Sequence, residues 1–104
     1  MSRKLNNRRI CGGYSKLKDS DEVSDKILTN CFPRFAEILD GHPNIFDLKD
    51  LTLDKILENY KYSTQVVAGI NYKFNIMHSN VKYELIVYHK LDGSTLIKSF
   101  NKLD

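Results

Sequence analysis

The sequence predicts an α+β domain, with an antiparallel β-sheet packed on one long α-helix. Three observations carry this. An apolar stripe of helical period runs from Val23 to Leu39, alternating apolar and polar runs follow from about residue 56 to residue 100, and glycine-containing turns interrupt those runs. At 104 residues the chain is one domain. A chain of that size can bury roughly two thirds of its unfolded surface. With 41% apolar and 28% charged residues it has the composition of an ordinary globular protein.

Taken in order, the chain opens with a basic arm, residues 1–9, ahead of a single domain spanning 10–104. The Gly12-Gly13 pair marks a flexible joint, followed by a short segment through Leu17. Asp19 and Ser20 are candidate N-caps, and Asp19 with Glu22 three residues on resembles a capping box. Val23, Ile27, Cys31, Phe35 and Ile38 then recur at helical spacing, widened by Leu28, Phe32 and Leu39. They predict an amphipathic helix of about five turns. Pro33 falls inside it and removes one backbone donor, which predicts a kink. Gly41-His42-Pro43-Asn44 ends the helix, and a loop holding a short helical turn leads to a strand starting near Lys55.

Four strands are predicted from there: about Ile56–Val66, Gly69–Met77, Lys82–Lys90 and Thr95–Phe100, with 101–104 as a tail. His78-Ser79-Asn80 and Leu91-Asp92-Gly93-Ser94 supply turns. The remaining tip, Gln65-Val66-Val67-Ala68-Gly69, is unusual. Hairpin tips face water and are normally built from Asn, Asp, Ser and Gly. A Val-Val-Ala tip is either buried under its own chain or offered to a partner.

Net charge is +3, from 16 basic and 13 acidic side chains. Arg3, Lys4, Arg8 and Arg9 all lie in the arm, so the rest is close to neutral. A basic arm can bind polyanions or serve as a solvated tail. No basic face with aromatic stacking partners follows it, so nucleic acid is not the expected partner. No apolar run approaches the roughly 20 residues that cross a bilayer, and no membrane association is expected. The basic start has no apolar segment behind it, as a secretory signal would. A cytoplasmic protein is the default expectation, although a secreted mature form with its signal removed would look the same.

No catalytic or metal-binding constellation is evident, and a non-enzyme without cofactor or metal is expected. Cys11 and Cys31 match no zinc or redox spacing. They are read as free thiols, Cys31 as a core position, with a bridge between them only in an oxidising compartment. His42, His78 and His89 have no partner at helical spacing and read as surface residues. Asp19, Asp21, Glu22 and Asp25 cluster where a helix macrodipole favours negative charge.

Taken together, Gly12-Gly13, the helix, Gln65-Val66-Val67-Ala68-Gly69 and the turn at Leu91 resemble the cystatins. These are small protein inhibitors of papain-like cysteine (thiol) proteases such as the cathepsins. The family motif Gln-x-Val-x-Gly is matched at Gln65, Val67 and Gly69, with Val66 and Ala68 its commonest fillers. The chain is most similar to the stefins, the intracellular branch. It shows no signal sequence, it lacks the four C-terminal cysteines of the secreted branch, and Pro33 stands where some stefins have a mid-helix proline. Val87 to Gly93 is similar to the stefin second hairpin. Asp92 departs from the usual proline there, which puts a charge at that loop. The segment from about Gly41 to Leu53 and the basic arm are longer than usual, and Cys11 replaces a small apolar residue.

The resemblance implies a sheet wrapped round the helix and a three-part apolar wedge that plugs a protease cleft. Its parts would be the arm Ile10-Cys11-Gly12 with Gly13, the hairpin tip Gln65 to Gly69, and the turn Leu91-Asp92-Gly93. Inhibition would be reversible and steric. The alternative keeps the fold without inhibition, as a binding module that uses the basic arm. A long hairpin with a strained tip also permits exchange between chains, so a domain-swapped dimer stands beside the expected monomer.

Overall fold

The computed structural model describes residues 13–41 and 51–103. The expectations for the basic arm, Ile10, Cys11, Gly12, His42 and the loop through residue 50 lie outside the described residues. Within them the fold is α+β. One long helix, α1 (Glu22–Gly41), packs on a five-stranded antiparallel sheet in sequence order: β1 (Lys18–Asp19), β2 (Tyr60–Val67), β3 (Gly69–His78), β4 (Val81–His89) and β5 (Thr95–Leu103).

The helix starts at a different cap from the expected one. Asp21, not Asp19 or Ser20, is the N-cap: its Oδ1 accepts from the Ser24 amide at 2.8 Å, and Ser24 Oγ accepts from the Asp21 amide at 3.0 Å. This is a capping box with serine in the third position. Asp19 belongs instead to β1, where its carboxylate takes Lys61 Nζ at 2.5 Å across the β1–β2 pair. A two-residue strand has no periodicity to betray it, and β1 escaped the sequence pattern for that reason.

Helix α1 runs as one element across Pro33. Pro33 and Thr29, whose carbonyl would have received the missing amide, both lie on the exposed side of the helix. Ile27, Leu28, Cys31 and Phe35 are buried as the stripe predicts. Val23 is not: it is 59% exposed, while its neighbour Ser24 is fully buried.

A second helix, α2 (Leu53–Glu58), occupies the start of the expected first strand. Leu53, Ile56 and Leu57 have helical spacing, and Thr52 Oγ1 caps the turn by accepting from the Lys55 amide. The strand therefore begins at Tyr60. At the other end β5 continues to Leu103, through the residues expected to be a tail, because β4 offers partners as far as the Lys82↔Leu103 pair. The β3–β4 turn is the two-residue Ser79-Asn80, with φ of 52° and 65°. Positive φ at both residues is the geometry whose twist matches flanking strands.

The helix-facing side of the sheet carries Tyr60 and Tyr62, then Tyr72, Phe74 and Ile76, then Tyr83, Leu85 and Val87, all buried. Aromatic rings run along the sheet and join it to the helix. Tyr72 stacks on Phe74 at 5.9 Å, and Phe35 of the helix meets Phe100 of β5 edge-on at 4.8 Å. The tyrosine hydroxyls end in a polar cluster at the helix start. Tyr60 donates to Asp25 Oδ1 at 2.7 Å and lies 2.6 Å from Ser24 Oγ, while Tyr62 donates to Asp21 Oδ2 at 2.5 Å. This cluster ties the first turn of α1 to β2.

Candidate functional site: the apolar end of the sheet

Strands β2 and β3 pair in register from Tyr60↔Ile76 to Val67↔Gly69, leaving Ala68 alone at the apex. Gly69 has φ +116°, and a Cβ there would lie 2.5 Å from the His89 carbonyl oxygen and 2.9 Å from the Tyr88 ring. Only glycine satisfies both the backbone angle and the close approach of β4. The Tyr88 hydroxyl donates to the Ala68 carbonyl and so braces the apex from the neighbouring strand. Gln65 faces Asn71 across the pair, its Oε1 accepting from Asn71 Nδ2 at 2.8 Å. Val66 and Val67 remain 66% and 42% exposed, so the apolar tip is not buried beneath its own domain.

The β4–β5 turn stands beside this tip. It closes with the Lys90 amide donating to the Ser94 carbonyl at 2.8 Å and the Gly93 amide to the Lys90 carbonyl at 3.0 Å. Gly93 takes φ +92°. Asp92 Oδ1 accepts from the Ser94 hydroxyl at 2.6 Å and the Ser94 amide at 2.9 Å, and these bonds hold its carboxyl below the usual range. The Asp92 charge thus serves the turn itself. Leu91 is left 84% exposed at the top.

Strand pairing brings these pieces together. The Ile70↔His89 pair puts the tip and the turn at one end of the sheet. The described chain also begins at this end. The Ser15 amide donates to the Thr64 carbonyl at 2.7 Å, and Ser15 Oγ accepts from the Thr64 amide at 3.0 Å. Tyr14 lies under Lys73 Nζ, 3.9 Å from its ring centroid, and Gly13 is exposed beyond it. Of the residues singled out in the sequence, Gly13, Gln65 to Gly69 and Leu91 to Gly93 therefore share one end. Ile10, Cys11 and Gly12 lie outside the described residues.

Three contributors were missed in the sequence: Tyr88, Asn71 and Tyr14. Each sits on the outward side of a strand or on the leading segment, where composition gives no signal of a contact to a hairpin tip. Two further candidates for chemistry were Cys31 and His89. Cys31 is enclosed in the core, its Sγ donating to the Leu28 carbonyl at 3.5 Å, and burial pushes its thiol up to about 11. His89, expected at the surface, is half-buried with its ring tilted against Tyr72. Among the described residues no helix is long and apolar enough to cross a membrane.

The chain matches no family model, no curated protein and no solved structure.

Proposed function

We propose that the protein is a cystatin-type inhibitor of papain-like cysteine proteases, nearest in kind to the stefins, and that it acts in the cytoplasm. One observation carries the reading: Val66 and Val67 stay exposed at the tip of a braced hairpin, at the same end of the sheet as Gly13 and the exposed Leu91. An apolar edge held this way by glycine geometry and a tyrosine brace is suited to a groove on another molecule. Burying Val66, Val67 and Leu91 supplies about 25 cal/mol per Å² before the costs of association. The wedge would block the cleft without placing a scissile peptide on the catalytic cysteine, so inhibition is steric and reversible. Residues Ile10, Cys11 and Gly12 complete the wedge in this reading, along the substrate subsites.

The experiment is a titration of papain with the full chain, with a serine protease as control. Inhibition of papain alone is expected. Val67→Asp should weaken it by about 3 kcal/mol, roughly a hundredfold, because the complex then buries an unpaired carboxylate. Its thermal melt should match the parent, since the side chain is exposed in the free protein. Inhibition that survives Val67→Asp unchanged would remove the hairpin from the site.

A further inference from the structure

Beside the β4–β5 turn, between the first turns of α1 and the hairpin, lies an open cavity of about 290 Å³. Val23 and Ile27 line it on the helix side, His89, Gly93 and Thr95 on the sheet side. Val23 belongs to the apolar stripe of α1 yet is 59% exposed, and the cavity is what it faces in place of the sheet. The cavity is continuous with the wedge in two directions. Leu91 sits in the turn between His89 and Gly93. On the helix-facing side of the sheet, Val66 pairs with Ile70 and Ile70 with His89, giving one row from the tip to the cavity wall.

The rim decides what the cavity can take. Asn30 Oδ1 accepts from Thr95 Oγ1 at 2.6 Å, and Arg34 Nη2 donates to the Thr95 carbonyl at 3.1 Å, so these polar groups satisfy one another. Lys26, the cation on the rim, is paired with Glu22 at 3.4 Å. Among the described lining residues the rim holds no cluster of convergent donors that would select an ionic or strongly polar group: Lys26 lies in an exposed pair with Glu22, and the His89 ring is tilted against Tyr72. What it offers is an apolar floor and open volume.

We infer that this cavity is a second anchor for the protease seated on the wedge, receiving one apolar side chain from the enzyme surface beside the cleft. The inference rests on the inhibitory reading above. It assigns α1 a direct part in recognition, through Val23.

The test measures papain inhibition by the full chain carrying Val23→Arg, Val23→Ser, Val67→Asp or Met77→Arg, the last at the opposite end of the sheet. Val23→Arg fills the cavity and should weaken inhibition about tenfold, through faster dissociation. Val23→Ser, which leaves the cavity open but removes apolar floor, should cost about threefold. Met77→Arg should stay within about twofold of the parent. Unchanged inhibition by both Val23 variants, with inhibition lost in Val67→Asp, would overturn the second anchor and leave the wedge standing. A parent chain that does not inhibit papain would overturn the inhibitory reading and this inference with it. Matching thermal melts of the Val23 variants and the parent exclude misfolding as the cause of any loss.

Discussion

Gly69 is where the apolar end depends on a single atom's absence. Its φ of +116° and the 2.5 Å approach that a Cβ would make to the His89 carbonyl act against any side chain. The neighbour is backbone, which cannot rotate away. Gly69→Ala should therefore lower stability by about 2–3 kcal/mol. Urea unfolding checks this, with a lower midpoint and an unchanged slope expected. A midpoint equal to the parent's would mean that the tip relaxes at no cost and that the Tyr88 brace is weak. The need for glycine here was legible in the sequence as part of a motif, but its reason, the proximity of β4, was not. Val23 and Asp21 were misread for a related cause. Periodicity assigns faces along a helix, but it does not say where the sheet beneath the helix stops. Val23 lies over the open cavity at the ends of β4 and β5, and the helix starts after Asp21 while Asp19 pairs with Lys61 in β1.

At the scale of the element, the join between α1 and β2 is made of carboxylates and tyrosine hydroxyls, so it should respond to pH from both sides. The Ser24 amide and the Tyr62 hydroxyl hold the Asp21 carboxyl below its ordinary range. A depressed folded pKa stabilises the fold above the unfolded value, about 3.9, and that stability is lost as pH falls through the folded value. Tyr62 moves the other way. Its bond to Asp21, with burial second, pushes it up to about 12 from 10.0. The folded state then keeps a proton that the unfolded state releases, so this stability is complete below pH 10 and lost as pH rises toward 12. Tyr60 is raised in the same direction, by burial first and by Asp25 second. Denaturant unfolding should show stability falling below about pH 4 and again above about pH 10. Tyr62→Phe should flatten both limbs, while parallel curves for parent and variant would remove Tyr62 from the linkage. Alternation of apolar residues had made β2, β3 and β4 legible. A short helical turn before β2 was expected too, but its bounds and the end of β5 were not legible, because short apolar runs fit either period until their neighbours choose.

At the scale of the whole molecule, the arrangement separates charge from the apolar end. The excess positive charge lies in residues 1–9, and the rest of the chain is nearly neutral. The tip, by contrast, presents Val66, Val67 and Leu91, with the Asp92 carboxylate engaged by Ser94. The antiparallel order of the sheet was readable in the sequence. That its order also sets the two turns and Gly13 at one end follows from register, which long-range pairing fixes. This layout gives an opposite salt response to the two readings that the sequence left open. In the inhibitory reading the contacts are apolar, and raising salt from about 50 to about 500 mM should change the papain inhibition constant by less than about threefold. Capture by the basic arm of a polyanion would instead weaken by orders of magnitude over that range, as displaced counterions are no longer released into dilute salt. Papain inhibition constants and dissociation constants for a polyanion such as polyphosphate, each measured across the range on the parent and on a chain lacking residues 1–9, separate the two. A steep salt slope that disappears with the arm would assign binding to the charges and take it from the hairpins. A flat slope in both chains would assign it to the apolar end of the sheet.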